Sequence, residues 1–200
     1  MKDITYVILS PEEINPEQYE GLTYVNHVKK FDNSGCLHRE RLAAIEKVQT
    51  PFFTYLDSDD PIPTGVRTPK EAGILYGTDF VRTHHIDGSI EETVRLPMPF
   101  TWLRGINNHL MIHKAICHTE WSKQISSELP EGVYNTELLL FSILAKWKGY
   151  EIDQSFIYTW EQRKTGCHNW PDVIESIRNS TKWLFSNGHI TIKKLNELYG

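Results

Sequence analysis

Ten residues, 52 to 61, constrain this chain more than any others. Phe52-Phe53-Thr54-Tyr55-Leu56 places bulky side chains on both alternating faces, as a central strand covered on both sides requires. It runs straight into Asp57-Ser58-Asp59-Asp60-Pro61, three carboxylates within four residues. Like charges so close repel, and they are tolerated when a hard divalent cation sits among them. Mg²⁺ or Mn²⁺ held by one or two carboxylates plus substrate phosphates is the usual arrangement. The C-terminal end of a strand is also where open α/β sheets bind ligands. The alternative is a solvated acidic turn that caps the next segment.

The flanking pattern predicts what carries this strand. Ile4 to Leu9 is β-branched, aromatic and apolar and stops at Ser10-Pro11, and Leu22 to Val28 repeats the pattern. Asp32-Asn33-Ser34-Gly35 supplies a turn, and Leu42, Ala43, Ile45 and Val48 recur at helical spacing from Arg39 to Gln49, before Pro51. Further on, Ile74 to His84 and Thr93 to Leu96 read as a hairpin around Asp87-Gly88, with a mixed stretch from Trp102 to Trp121. Asn135 to Lys148 is apolar nearly all round and so predicts a buried helix ended by Gly149. Tyr150 to Trp160 predicts a last strand, and 170 to 185 and 190 to 199 two closing helices. The expectation is one α/β domain over residues 1–200, with a mixed, mostly parallel central sheet, helices on both faces and no repeat or linker.

Composition excludes several classes. Hydrophobic residues at 40% and charged residues at 24% describe a chain that folds. No apolar run approaches the roughly 20 residues that span a bilayer, and MKDITYVILSPEE reaches acidic and Pro residues too soon for a secretory signal, so a cytoplasmic protein is expected. Cys36, Cys117 and Cys167 are odd in number and widely spaced, which argues against a disulfide framework or a zinc knuckle. A net charge of −5 gives no reason to expect indiscriminate DNA binding.

Arg41-Leu42-Ala43-Ala44-Ile45, Val48, and Thr50 through Asp60 together resemble the nucleotide-binding half of the family 2 glycosyltransferases of GT-A fold, in which an Arg-led helix precedes a strand ending in Asp-X-Asp. The likeness is strong over 39–60 and looser over 1–168. It implies a GT-A-like (Rossmann-like) domain whose residues 1–96 bind a nucleotide-sugar donor, most simply a UDP-sugar, and whose residues 97–200 form the acceptor side. It further implies that Asp59 contacts the donor ribose, Asp60 binds the Mn²⁺ or Mg²⁺ that bridges the two phosphates, with Asp59 beside it, and Asp57 supports the loop. Ser10 and Pro11, in the family's first strand and loop, would line the donor, with Arg41 on the nucleotide side and Asp32 at the base edge. For Arg41 an exposed helix position, and for Asp32 an ordinary turn, are the competing readings.

An inverting transfer needs a general base. Family members place an acidic pair at the start of a buried helix; here the stretch is Tyr134-Asn135-Thr136-Glu137-Leu138, so Glu137 alone fits, with Glu131 and Asp79 in reserve and helix-dipole stabilisation as its other explanation. After the last strand, Arg163, Lys164 and His168 match a basic lid over the diphosphate, His168 also as a cation ligand, or else form a polar surface loop. The acceptor is expected to be a saccharide. Hydroxymethylated DNA, as in T-even-type phages, is a second candidate, because Arg67, Lys70, Arg82, His84, His85, Arg95 and Arg104 fall in the middle of the chain. A non-catalytic sugar-nucleotide binder and a nucleotidyltransferase are the rival classes, and the sequence leaves oligomeric state open.

Overall fold

The protein is described from a computed structural model covering residues 3–28, 37–95, 115–134, 144, 147–162 and 171–189. Among the described residues seven strands form one sheet: β1 (Ile4–Ser10), β2 (Tyr24–Val28), β3 (Phe52–Asp57), β4 (Ile74–His84), β5 (Ile90–Arg95), β6 (Ala115–His118) and β7 (Tyr150–Gln162). Their order is β2-β1-β3-β6-β4-β5, with β7 also on β4. β1 pairs parallel with β2 and β3, and β7 parallel with β4; β6 joins the halves antiparallel to both β3 and β4, and β5 returns antiparallel on β4. The expected mixed sheet flanked by helices is therefore present.

Alternation along the strands sorts the core into two faces. Val7, Leu9, Phe53, Tyr55, Ile74, Tyr76, Ala115 and Cys117 point to one side. There they meet Leu42, Ala44 and Ile45 of α1 (Leu37–Ile45), Ile125 of α2 (Thr119–Glu128) and Leu184 of α3 (Pro171–Ser186). Tyr6, Ile8, Leu56 and Tyr158 point to the other, against Tyr19 of the 3-10 turn Pro16–Tyr19 and partly buried Ile14, Leu22 and Val66. Among the described residues that second face is covered by this turn and the segment after Asp60, whereas helices were expected on both faces. Each fully buried aromatic contributes about 2–3 kcal/mol of transfer free energy, so β3, with Phe53 and Tyr55 buried, is anchored hard.

Several elements end earlier or later than their patterns predict. α1 stops at Ile45, and Val48 is buried from a turn in which its N–H donates to the Ile45 carbonyl at 2.9 Å. Of the mixed stretch 102–121, residues 115–121 form β6 and the start of α2, too short and too interleaved for a period to declare them, and 102–114 lie outside the described residues. The Asp87-Gly88 hairpin is present: Gly88 has φ +84°, and Ser89 N donates to Asp87 Oδ1 at 2.9 Å. Of the helix expected over 135–148, Leu144 is fully buried while Trp147 is exposed; 135–143, like 190–199, lies outside the described residues. No helix among the described residues is long and apolar enough to cross a membrane.

The segment after Asp60 is fastened to β7 at three places. Thr64 and Ile157 exchange backbone hydrogen bonds of 3.0 and 2.9 Å. Gly65, at φ +66°, lies against the backbone of Ser155, where any Cβ would collide with its carbonyl oxygen. Arg67 forks onto Asp153 at 2.5 Å and Glu151 at 3.0 Å, and Glu151 also accepts from the amides of Lys70 and Glu71.

Candidate active site

Parallel pairing of β1 with β3 brings Leu9 level with Asp57, so the exits of both strands open on the same edge of the sheet. This is the crevice expected for ligand binding in such sheets. The Asp57–Asp60 turn occupies it. Asp60 N donates to the Asp57 carbonyl at 3.0 Å and closes the turn, and Tyr19 Oη donates to the carbonyl of Ser58 at 3.4 Å.

The three carboxylates do not share one environment. Asp60 is buried, and both its oxygens accept from β7: Oδ2 from the Tyr158 hydroxyl at 2.5 Å, Oδ1 from Glu161 N at 2.9 Å. Burial pushes its carboxyl up to about 7; the Tyr158 hydrogen bond opposes the rise, and the Asp57 charge adds to it. Asp57 is half-buried and Asp59 exposed at the tip of the turn. The charge of Asp59 also helps, after burial, to raise the phenol of Tyr19. The tip, not the root, therefore meets solvent.

The Asp57–Asp60 set suits a hard divalent cation shared with phosphates. Among the described residues no three His, Cys, Asp or Glu side chains converge as an all-protein cage. One or two carboxylates completed by phosphate oxygens and water is the usual Mg²⁺ arrangement, and an outward Asp59 beside a half-buried Asp57 offers that number. The carboxylate repulsion felt at Asp60 is what a cation would relieve.

The other sequence-singled residues divide. Ser10, buried at the end of β1, donates to the Glu12 carbonyl at 2.5 Å and bonds Asn26 Oδ1 at 3.0 Å, which shapes the loop that carries exposed Pro11. Arg41 is buried, 5% exposed, in α1, its guanidinium 5.9 Å from the Tyr55 ring and its carbonyl accepting from Tyr55 Oη at 2.6 Å. The exposed-helix reading of Arg41 does not hold, and its neighbour Glu40 is likewise buried and bonded to His27 Nε2 at 2.9 Å. Of the reserve bases, Asp79 is fully buried and Glu131 exposed. Asp32, Glu137, Arg163, Lys164 and His168 lie outside the described residues, as does Arg104.

Four basic residues of the middle segment, Arg67, Arg82, His84 and His85, are committed to carboxylates. Arg82 bonds Glu92 at 3.0 Å and Glu161 at 3.2 Å, His84 bonds Glu161 at 2.6 Å, His85 lies 3.4 Å from Glu91, and Arg67 holds its fork. Burial alone would raise the carboxyl of Glu161; the His84 and Arg82 hydrogen bonds hold it below its ordinary value. Tyr158 and Glu161 are the site residues that sequence reasoning missed. A tyrosine amid the alternating residues of a strand signals only a buried face, and no spacing rule ties position 158 to position 60.

No protein-family model matches the chain, and no curated protein matches it. Among solved structures, S. aureus TarS 1-349 matches at 10% identity with TM-score 0.43, over 98% of this chain and 77% of that one. The same fragment in complex with UDP-GlcNAc matches at 10% identity and TM-score 0.44, over 98% and 78%, and in complex with UDP at 11% and 0.42, over 96% and 77%. At such low identity and TM-score these similarities assign no chemistry to the chain.

Proposed function

We propose that this chain is a divalent-cation-dependent glycosyltransferase that moves a sugar from a nucleoside diphosphate donor, a UDP-sugar first, to a hydroxyl of a saccharide, with inversion. One observation carries the reading: the Asp57–Asp60 turn stands where β1 and β3 exit the sheet, with Asp60 turned inward and Asp59 outward. The likeness of residues 39–60 to family 2 glycosyltransferases supports it from the sequence side. The assignment here departs from the sequence expectation, which gave the cation to Asp60 and the ribose to Asp59: because both Asp60 oxygens are bonded inward to β7, Asp59, helped by Asp57, holds Mn²⁺ or Mg²⁺ and faces the donor, while Asp60 anchors the turn. A cation there would offset the charge that grows on the departing diphosphate. Ser10 and Pro11 shape the neighbouring wall, and Arg41 backs the nucleotide side from within α1. Glu137 is the proposed base for the acceptor hydroxyl, and Arg163, Lys164 and His168 the proposed lid, His168 as a further cation ligand.

A saccharide acceptor is favoured over hydroxymethylated DNA because Arg67, Arg82, His84 and His85 are already paired with carboxylates, which leaves less charge to meet a phosphate backbone. The deciding assay presents UDP-sugars with Mn²⁺ to saccharide acceptors and, in parallel, to unglycosylated hydroxymethylated DNA, and measures UDP release and transfer. Transfer that is lost in Asp59→Ala supports the proposal, and the anomer of the product, read by NMR, reports inversion. UDP binding without turnover would favour a non-catalytic binder, the reading that the missing acidic pair at Asn135 motivates. Pyrophosphate release from nucleoside triphosphates would indicate a nucleotidyltransferase.

A further inference from the structure

We infer that Tyr158 is the positioning residue of the carboxylate turn: its hydroxyl ties the two ends of Asp57–Asp60 together and so presents Asp57 and Asp59 to a divalent cation and a nucleoside diphosphate. The inference rests on the donor-site reading above. Its basis is a single buried hydroxyl that makes two contacts of opposite polarity, accepting from Asp57 N at 3.3 Å and donating to Asp60 Oδ2 at 2.5 Å. The amide and carboxylate it joins are the first and last residues of one turn, itself closed by Asp60 N on the Asp57 carbonyl. With both ends fixed, Ser58 and Asp59 are what lies between them, and Tyr19 takes up the Ser58 carbonyl. Asp59 is what the frame leaves facing out.

Strand register explains how Tyr158 comes to be there. β4 and β7 pair Tyr76 with Ile152 and then Thr78 with Ile157, so β7 advances five residues while β4 advances two. The three extra residues are an odd number. Because side chains alternate with period two, an odd insertion exchanges the faces of everything that follows. Without the bulge Tyr158, of the same parity as Ile152, would share the helix-covered face with Tyr76. With it, Tyr158 pairs level with Asp79 on the opposite face and joins Tyr6, Ile8 and Leu56 beneath the turn. Gly77 makes the bulge possible, since a Cβ there would strike the ring and carbonyl of Phe156. Burial, and then the charges of Asp57 and Asp60, hold the phenol above its usual value.

The test uses the full chain and Tyr158→Phe, which keeps the ring and removes both hydroxyl contacts. Mn²⁺ binding, read by the loss of the free-ion EPR signal with and without UDP, is expected to weaken about tenfold in the variant, in keeping with loss of a hydrogen bond to a charged group. Tyr19→Phe, which loses only the 3.4 Å contact to the Ser58 carbonyl and leaves both ends of the turn tied, is expected to weaken binding less than Tyr158→Phe. At saturating Mn²⁺ the variant's turnover should return, because Tyr158 acts on affinity through the turn and not on the reacting atoms. A folded Tyr158→Phe protein that binds Mn²⁺ and UDP as wild type does would overturn the inference alone. A wild-type protein that binds neither would overturn the donor-site reading beneath it. If Tyr158→Phe does not fold, amide exchange in wild type decides: Mg²⁺ with UDP should increase protection at Asp57 and Glu161 together, and binding that leaves both amides unchanged would refute the positioning role.

Discussion

The hydroxyl of Tyr158 donates to Asp60 Oδ2 at 2.5 Å, across 98 residues of sequence. That contact turns an acidic tetrapeptide into two kinds of carboxylate. Asp60 is a structural carboxyl inside the sheet edge and Asp59 a solvent-facing one at the tip, although the two are neighbours in the chain.

The division predicts opposite phenotypes for adjacent substitutions. Asp59→Ala, at an exposed position, should change stability by less than about 0.5 kcal/mol and abolish Mn²⁺-dependent UDP binding. Asp60→Ala leaves Tyr158 Oη and Glu161 N without their acceptor and should cost about 2–4 kcal/mol. Urea unfolding alongside calorimetric titration with UDP and Mn²⁺ checks the pair. Equal destabilisation by both would contradict the inward and outward assignment.

The pH dependence of stability carries two opposing contributions. The Asp60 carboxyl, near 4 in an unfolded chain, stands at about 7 in the fold, so its contribution is complete below pH ~4 and is lost as pH rises toward 7. Its size is on the order of 4 kcal/mol at most. His38, buried in α1, runs the other way: burial, then the Arg41 charge, lowers it to about 3, so its contribution is present above pH ~6.5 and is lost as pH falls toward 3. In Asp60→Asn the opposing slope is gone, and urea midpoints should rise steadily from pH 4 to 6.5. Mn²⁺ with UDP, which favours ionised carboxylates, should flatten the Asp60 slope in wild type. Midpoints that do not differ between wild type and Asp60→Asn over this range would refute the assignment.

Two glycines should resist alanine. Gly65 combines φ +66° with a Cβ position on top of the Ser155 carbonyl, and Gly77 would press on Phe156. Overpacking of this kind costs about 1–3 kcal/mol, and Gly65→Ala adds backbone strain to it. Because Gly77 admits the bulge that carries Tyr158, Gly77→Ala should also weaken Mn²⁺ binding. Thermal melting combined with Mn²⁺ titration separates a packing defect from a displaced site.

Arg67 offers a milder test. Its fork to Asp153 and Glu151 is partly exposed, so Arg67→Ala should cost roughly 1 kcal/mol or less. The Asp153 carboxyl, held down to about 2 by the Ser155 hydroxyl and amide and then by Arg67, should keep most of that depression in the variant. Limited proteolysis is expected to cut faster within 67–72, where Glu151 and Arg67 fasten the segment. Unchanged cleavage would show that the Thr64 bridge alone suffices.

Much of this protein is written locally. The strand Phe52–Asp57 declares itself because alternation, aromatic bulk and a terminal run of aspartates all lie within ten residues, and the same holds for β1, β4, the Asp87-Gly88 turn and α3. The position of the carboxylates at a strand exit was legible for the same reason. What the three aspartates do was not. Their separation into a buried anchor and an exposed tip depends on Tyr158 and Glu161, on a segment clamped by Thr64, Gly65 and Arg67, and on an odd bulge opposite Gly77 that turns a tyrosine to the other face of the sheet. Hydrophobic period and turn chemistry act between near neighbours, so one chain reveals them. Register between β4 and β7 is set by side-chain packing across some 70 intervening residues, and only the folded sheet decides it.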